Sequence, residues 1–110
     1  METTQAIAAL GALALETRLD IFRLLVRAEP NGLPAGDIAR ALNVQPNTLS
    51  THLAILSRAG LLQSERDGRS IIYRVRLDQL RTLVLFLLQD CCGGNAELCA
   101  PILAELSPCC

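Results

Sequence analysis

The chain predicts a mostly α-helical fold with a small β-hairpin, and three observations carry that expectation. Aromatic residues make up only 3% of the sequence while 51% is hydrophobic, so the core must come from Leu, Ile, Val and Ala, which favours helices over a sandwich. Apolar residues recur at helical spacing from residue 5 to residue 60 and again after Leu77. Around Asp67-Gly68-Arg69 the period changes to that of strands. At 110 residues the chain suits one domain, and a core shared between two copies would help it fold.

Residues 5–15, rich in Ala and Leu, predict a short first helix that Gly11 weakens. Thr17 to Ala28 predict a clearer one, with Leu19, Phe22, Leu25 and Val26 on one side, ended by Glu29-Pro30-Asn31-Gly32. Leu33-Pro34 leads into a short helix, Ala35 to Leu42, whose apolar residues are Ile38, Ala39 and Leu42. The next helix opens at Asn43 or Gln45, takes Pro46 into its first turn and closes at Gly60. Its apolar stripe is Leu49, Leu53 and Leu56. The opposite face carries Asn47, Thr48, Ser50, Thr51 and Arg58, residue types that suit base edges and phosphates in a major groove. Alone, this helix also fits an ordinary amphipathic surface helix. Its neighbours favour the first reading, because two short helices joined so tightly form a helix-turn-helix whose second member enters the groove.

Leu61 to Arg66 and Ser70 to Val75 flank Asp67-Gly68-Arg69, a hairpin signal that adds a wing. Arg66 and Arg69, at or beside its tip, are placed to reach the phosphate backbone or a minor groove. Leu77 to Leu88 predict a last helix that is apolar nearly all round at its end, more than one face of a small monomer can bury. It is therefore expected to form a two-fold homodimer interface together with the first helix, which spaces two reading helices about one DNA turn apart.

Net charge is only −1, yet residues 40–76 carry six arginines against two acids, +4, while the flanking thirds are −2 and −3. The basic third holds the reading helix and the wing, as an electrostatic footprint on DNA requires. No basic leader precedes an apolar run, and the longest apolar run, Leu83 to Leu88, is too short to span a bilayer. The expectation is a cytoplasmic protein with no membrane partner, whose five cysteines are free thiols.

With these elements in this order the sequence resembles the ArsR/SmtB family of winged-helix repressors. The residues that carry the resemblance are Glu16-Thr17-Arg18-Leu19-Asp20-Ile21-Phe22 and Gln45-Pro46-Asn47-Thr48-Leu49-Ser50-Thr51-His52-Leu53. Ala59-Gly60-Leu61-Leu62 and, in the wing, Asp67-Gly68-Arg69-Ser70-Ile71-Ile72-Tyr73 complete it. The match covers residues 10–90, and the combination is specific although no single piece is. It implies a homodimer that represses its operon and releases operator DNA on binding a soft metal or metalloid. One family site, a Cys-Val-Cys type motif, falls where this chain has Leu33-Pro34-Ala35-Gly36-Asp37 and no cysteine. Zinc sensors of the family use His and carboxylates on the last helix, whereas the single histidine here, His52, matches a recurrent histidine of the reading helix and is expected to be DNA-facing or structural.

All five cysteines, Cys91, Cys92, Cys99, Cys109 and Cys110, fall in the last twenty residues, which divides the chain into a domain of residues 1–90 and a tail of 91–110. Consecutive Cα atoms lie about 3.8 Å apart and disulfides prefer roughly 4.4–6.8 Å, so Cys91 and Cys92 suit joint chelation better than bridging each other. Gly93-Gly94-Asn95 offers a turn that brings Cys99 back as a third thiolate. Three thiolates without histidine suit pyramidal As(III) or Sb(III) better than zinc, and the spacing resembles the arsenite site of some arsenic-responsive members. Cys109 and Cys110 are secondary candidates.

Two other regulators remain open: a methylarsenite sensor needing only the Cys91 and Cys92 thiolates, and a thiol redox regulator. Family members of the redox kind carry a cysteine on the second helix, and this chain has none there. An enzyme is not expected: a reactive thiol needs a basic setting, Asp90 and Glu97 make this one acidic, and no Cys-x-x-Cys or phosphate-cradling glycine loop is present.

Overall fold

The computed structural model describes residues 1–88 and Pro101. In chain order they form α1 (Thr3–Leu13), α2 (Glu16–Arg27), β1 (Leu33–Pro34), α3 (Ala35–Leu42), α4 (Pro46–Arg58), β2 (Leu62–Asp67), β3 (Ser70–Val75) and α5 (Leu77–Leu88). This is the expected mostly helical winged helix-turn-helix. One shared core joins the helices to the sheet, with Ile21, Leu25, Ile38, Leu49, Leu53, Leu56, Leu61 and Val75 almost wholly withdrawn from water. Each buried Leu or Ile contributes about 1.5–3 kcal/mol relative to an exposed one. No helix among the described residues is long and apolar enough to cross a membrane.

The sheet has three strands, in the order β1-β3-β2, and all pairings are antiparallel. The hairpin pattern alone predicts two. Leu33 and Pro34 pair with Tyr73 and Ile72, so the dipeptide expected only to lead into α3 is an edge strand. Proline at an edge position costs the ladder nothing when its missing N–H would face away from the neighbouring strand. In the wing, Asp67 pairs with Ser70, leaving Gly68 and Arg69 as a two-residue turn. Gly68 has φ +65, and a positive φ at the first turn position alone is the pattern of a II′ hairpin turn.

Two further expectations change. The buried arc of α2 is Ile21, Phe22 and Leu25, while Leu19 and Val26 are exposed. Phe22 and Leu25 are common to both, and Ile21 takes the place of Leu19 and Val26 on the core-facing side. The first helix begins and ends two residues earlier than the expected 5–15, and buries only the small residues Ala6, Ala9 and Ala12. Arg18 closes its end: Nε donates to the Ala12 carbonyl at 2.6 Å and the guanidinium also reaches the Gly11 carbonyl, which satisfies groups that a helix C-terminus leaves unpaired.

Candidate nucleic-acid interface

The tight connection between α3 and α4 rests on Asn43, which takes the left-handed conformation with φ 54 and ψ 50 and caps α3 by donating its N–H to the Ala39 carbonyl. Asparagine tolerates that region better than most residues. Asn43 therefore belongs to the end of α3, and Gln45 is the residue that opens α4, with Pro46 at the first turn where its missing N–H is harmless. Leu49, Leu53 and Leu56 are 2%, 2% and 0% exposed, and they fix the helix against the core. Gly60, at φ +81, ends the segment where a Cβ would stand 2.9 Å from Gln79 Nε2 at the start of α5.

With that stripe buried, Gln45, Asn47, Thr48, Ser50, Thr51 and Arg58 are all exposed, as their spacing predicts. Two of the hydroxyls are engaged within the helix: Ser50 Oγ donates to the Pro46 carbonyl at 3.0 Å, and Thr51 Oγ1 to the Asn47 carbonyl at 3.4 Å. His52 stands apart from this group. It is half-buried, and its Nδ1 is buried with no hydrogen-bond partner among the described residues.

The wing follows α4 directly in the chain, and β2 packs against that helix. Arg66 faces Ile71 in the ladder one residue from the turn, Arg69 is in the turn, and both are exposed. Among the described residues, ion pairs engage Arg40 with Asp37, Arg74 with Glu29 at 3.0 Å and Arg76 with Asp78 at 3.0 Å. Arg58, Arg66 and Arg69 form none among the described residues, so their positive charge is directed to the surroundings. Arg74 does something different: its partly buried pair with Glu29 ties β3 to the turn after α2. Gly32 in that turn has φ +74, and a Cβ there would meet the Tyr73 carbonyl at 2.5 Å. Sequence reasoning misses this brace, since its partners are 45 residues apart and no local pattern marks them.

Cys91, Cys92, Cys99, Cys109 and Cys110 lie outside the described residues, as does the junction at 90/91 between domain and tail. Among the described residues no group of three or more His, Cys, Asp or Glu side chains is placed to hold a metal ion.

A helix-turn-helix with an arginine-bearing hairpin beside its second helix defines a winged helix-turn-helix domain of the kind that binds DNA. Comparison with known proteins agrees: a helix-turn-helix domain family matches residues 13–65. The Bacillus subtilis transcriptional repressor SdpR is 30% identical over 87 residues, 79% of this chain and 93% of that protein. The Vibrio cholerae transcriptional activator HlyU is 28% identical over 93 residues, 84% of this chain and 83% of that one. A solution structure from Mycobacterium bovis, a homodimeric winged helix-turn-helix DNA-binding domain of a possible ArsR-family regulator, superimposes with a TM-score of 0.65 at 29% identity over 77% of each chain. The chain belongs to the winged helix-turn-helix transcriptional regulators of the ArsR/SmtB type.

Proposed function

We propose that this chain is a cytoplasmic, homodimeric repressor that binds operator DNA through α4 and the β2–β3 wing and is released by As(III), or Sb(III), held by Cys91, Cys92 and Cys99. The observation that most supports the DNA part is the uncommitted charge of Arg58, Arg66 and Arg69 beside a helix face of neutral hydrogen-bonding side chains. Neutralising phosphates releases condensed counterions, which supplies affinity, while the neutral groups of α4 supply selectivity. The chain acts by binding and carries out no reaction.

The dimer is supported by apolar surface that one copy leaves in water. Ile7 is 64% exposed on α1, and Leu85 and Leu87 are 55% and 49% exposed on α5, a helix that touches α1. A second copy related by two-fold symmetry would cover these side chains and set two reading helices on successive turns of a palindrome. The homodimeric state of the Mycobacterium bovis domain supports the same reading.

The metalloid part rests on the clustering of thiols in the last twenty residues, directly after the helix assigned to the dimer interface. Weakening operator binding 100-fold needs a coupling free energy of about 2.7 kcal/mol, and by linkage operator DNA must weaken ion binding by the same factor.

Anisotropy of a labelled fragment of the protein's own promoter, titrated with reduced protein and then with arsenite, methylarsenite, cadmium or zinc, tests the whole reading. Release by arsenite that is lost on replacing Cys91, Cys92 or Cys99 by Ser is the expected result. Release by methylarsenite that survives Cys99→Ser would replace it with the two-thiolate sensor. Release only on oxidation would replace it with a redox regulator. Transcription of the same promoter with and without the protein distinguishes repression from activation.

A further inference from the structure

The internal hydrogen bonds of α4 decide what two of its reading side chains can offer a base. A hydroxyl has one proton to donate and two lone pairs that accept. Ser50 spends its proton on the Pro46 carbonyl at 3.0 Å, Thr51 turns its own toward the Asn47 carbonyl in a longer, weaker bond of 3.4 Å, and both side chains remain exposed. What they present outward is therefore acceptor lone pairs. Asn47, one turn before Thr51 on the same side of the helix, makes no side-chain hydrogen bond among the described residues and keeps both its donor and its acceptor.

The major groove answers this polarity unevenly. Its hydrogen-bond donors are the adenine N6 and cytosine N4 amino groups, whereas guanine N7 and O6, adenine N7 and thymine O4 all accept. We propose that Ser50 and Thr51 are acceptor-only readers that select adenine or cytosine, through the exocyclic amino group, at the operator positions they face. This rests on the DNA-reading role assigned to α4 above. A base that offers only acceptors there would force the hydroxyl to rotate away from its carbonyl and lose an intrahelical bond before making a new one. The Ser50 bond, at 3.0 Å against 3.4 Å for Thr51, is the better formed, so its preference is the stronger of the two. One neutral hydrogen bond of ordinary net strength corresponds to about a fivefold preference per position.

The test starts with selection of bound duplexes from a randomised pool by the full-length reduced protein. In the enriched site each adenine is then replaced by unsubstituted purine and each cytosine by pyrimidin-2-one, which removes only the amino group. Binding is measured for the unmodified protein, Ser50→Ala, Thr51→Val and, as the variant that keeps the acceptor, Thr51→Ser. The expected result is a position where loss of the amino group costs the unmodified protein and Thr51→Ser about fivefold and costs Ser50→Ala or Thr51→Val nothing. The proposal is overturned if every variant responds to each amino deletion as the unmodified protein does. It is equally overturned if the two hydroxyls couple instead to 7-deazapurine substitutions, which delete an acceptor. Failure to enrich any sequence is distinct from both outcomes, since it would overturn the DNA reading and the proposal together.

Discussion

Helices α4 and α5 are nearly equal in length, 13 and 12 residues, and both are rich in leucine, yet they meet their surroundings in opposite ways. In α4 the three leucines of the stripe are buried and the opposite face is polar. In α5 only Leu83 is buried, and Leu77, Leu85 and Leu87 remain about half exposed. A helix with one apolar stripe finds its whole partner inside its own chain. One that is apolar nearly all round needs a second partner, and the rest of the described chain does not supply it.

The sharpest way to break this contrast is to truncate one leucine on each helix. Leu56→Ala should lower stability by about 2–5 kcal/mol, because Leu56 is fully buried and its loss leaves a cavity. Leu85→Ala, at dilutions where the protein is monomeric, should change stability by less than about 0.5 kcal/mol. Urea unfolding followed by circular dichroism measures both, and equal losses would mean that Leu85 has a partner within its own chain.

Charge sharpens the same contrast. The double substitution Leu85→Glu, Leu87→Glu should raise the dimer dissociation constant at least about tenfold, since it sets like charges against each other across a two-fold interface. Sedimentation equilibrium reads this directly, and an unchanged dimer would place the interface elsewhere. On the polar side, Arg58→Gln, Arg66→Gln and Arg69→Gln should each weaken binding to all DNA sequences alike and make the salt dependence shallower by about one unit for each phosphate left without its arginine. A variant whose effect differs between sequences would instead be reading bases.

A modest effect is expected at the brace behind the wing. Glu29→Gln leaves Arg74, 34% exposed, without its carboxylate, and should cost about 1 kcal/mol, less than a fully buried pair because water still reaches the guanidinium. Thermal unfolding checks it, and an unchanged midpoint would show that the brace adds nothing to stability.

These contrasts also show what the sequence could and could not reveal. The α4 stripe and its exposed face follow from the positions of Leu49, Leu53 and Leu56, because helical period alone decides which side is which. The Asp67-Gly68-Arg69 turn follows from local chemistry in the same way. Period does not decide α2, where Leu19, Ile21, Phe22, Leu24, Leu25 and Val26 offer apolar residues on too many sides, and tertiary packing selects Ile21 over Leu19 and Val26. Leu33-Pro34 is too short for any strand pattern to register, so the third strand emerges only once Tyr73 and Ile72 lie alongside it. The Glu29–Arg74 pair and the committed protons of Ser50 and Thr51 depend on three-dimensional distances that residue identity does not encode. The five cysteines are legible as a cluster in the sequence, and they lie outside the described residues.

DNA binding by the face that α4 and the wing form should show in the salt dependence of promoter binding. With Arg58, Arg66 and Arg69 each meeting a phosphate in both protomers, the logarithm of the association constant should fall against the logarithm of salt concentration with a slope of about −5. A slope near zero, or no binding to the promoter at low salt, would contradict it.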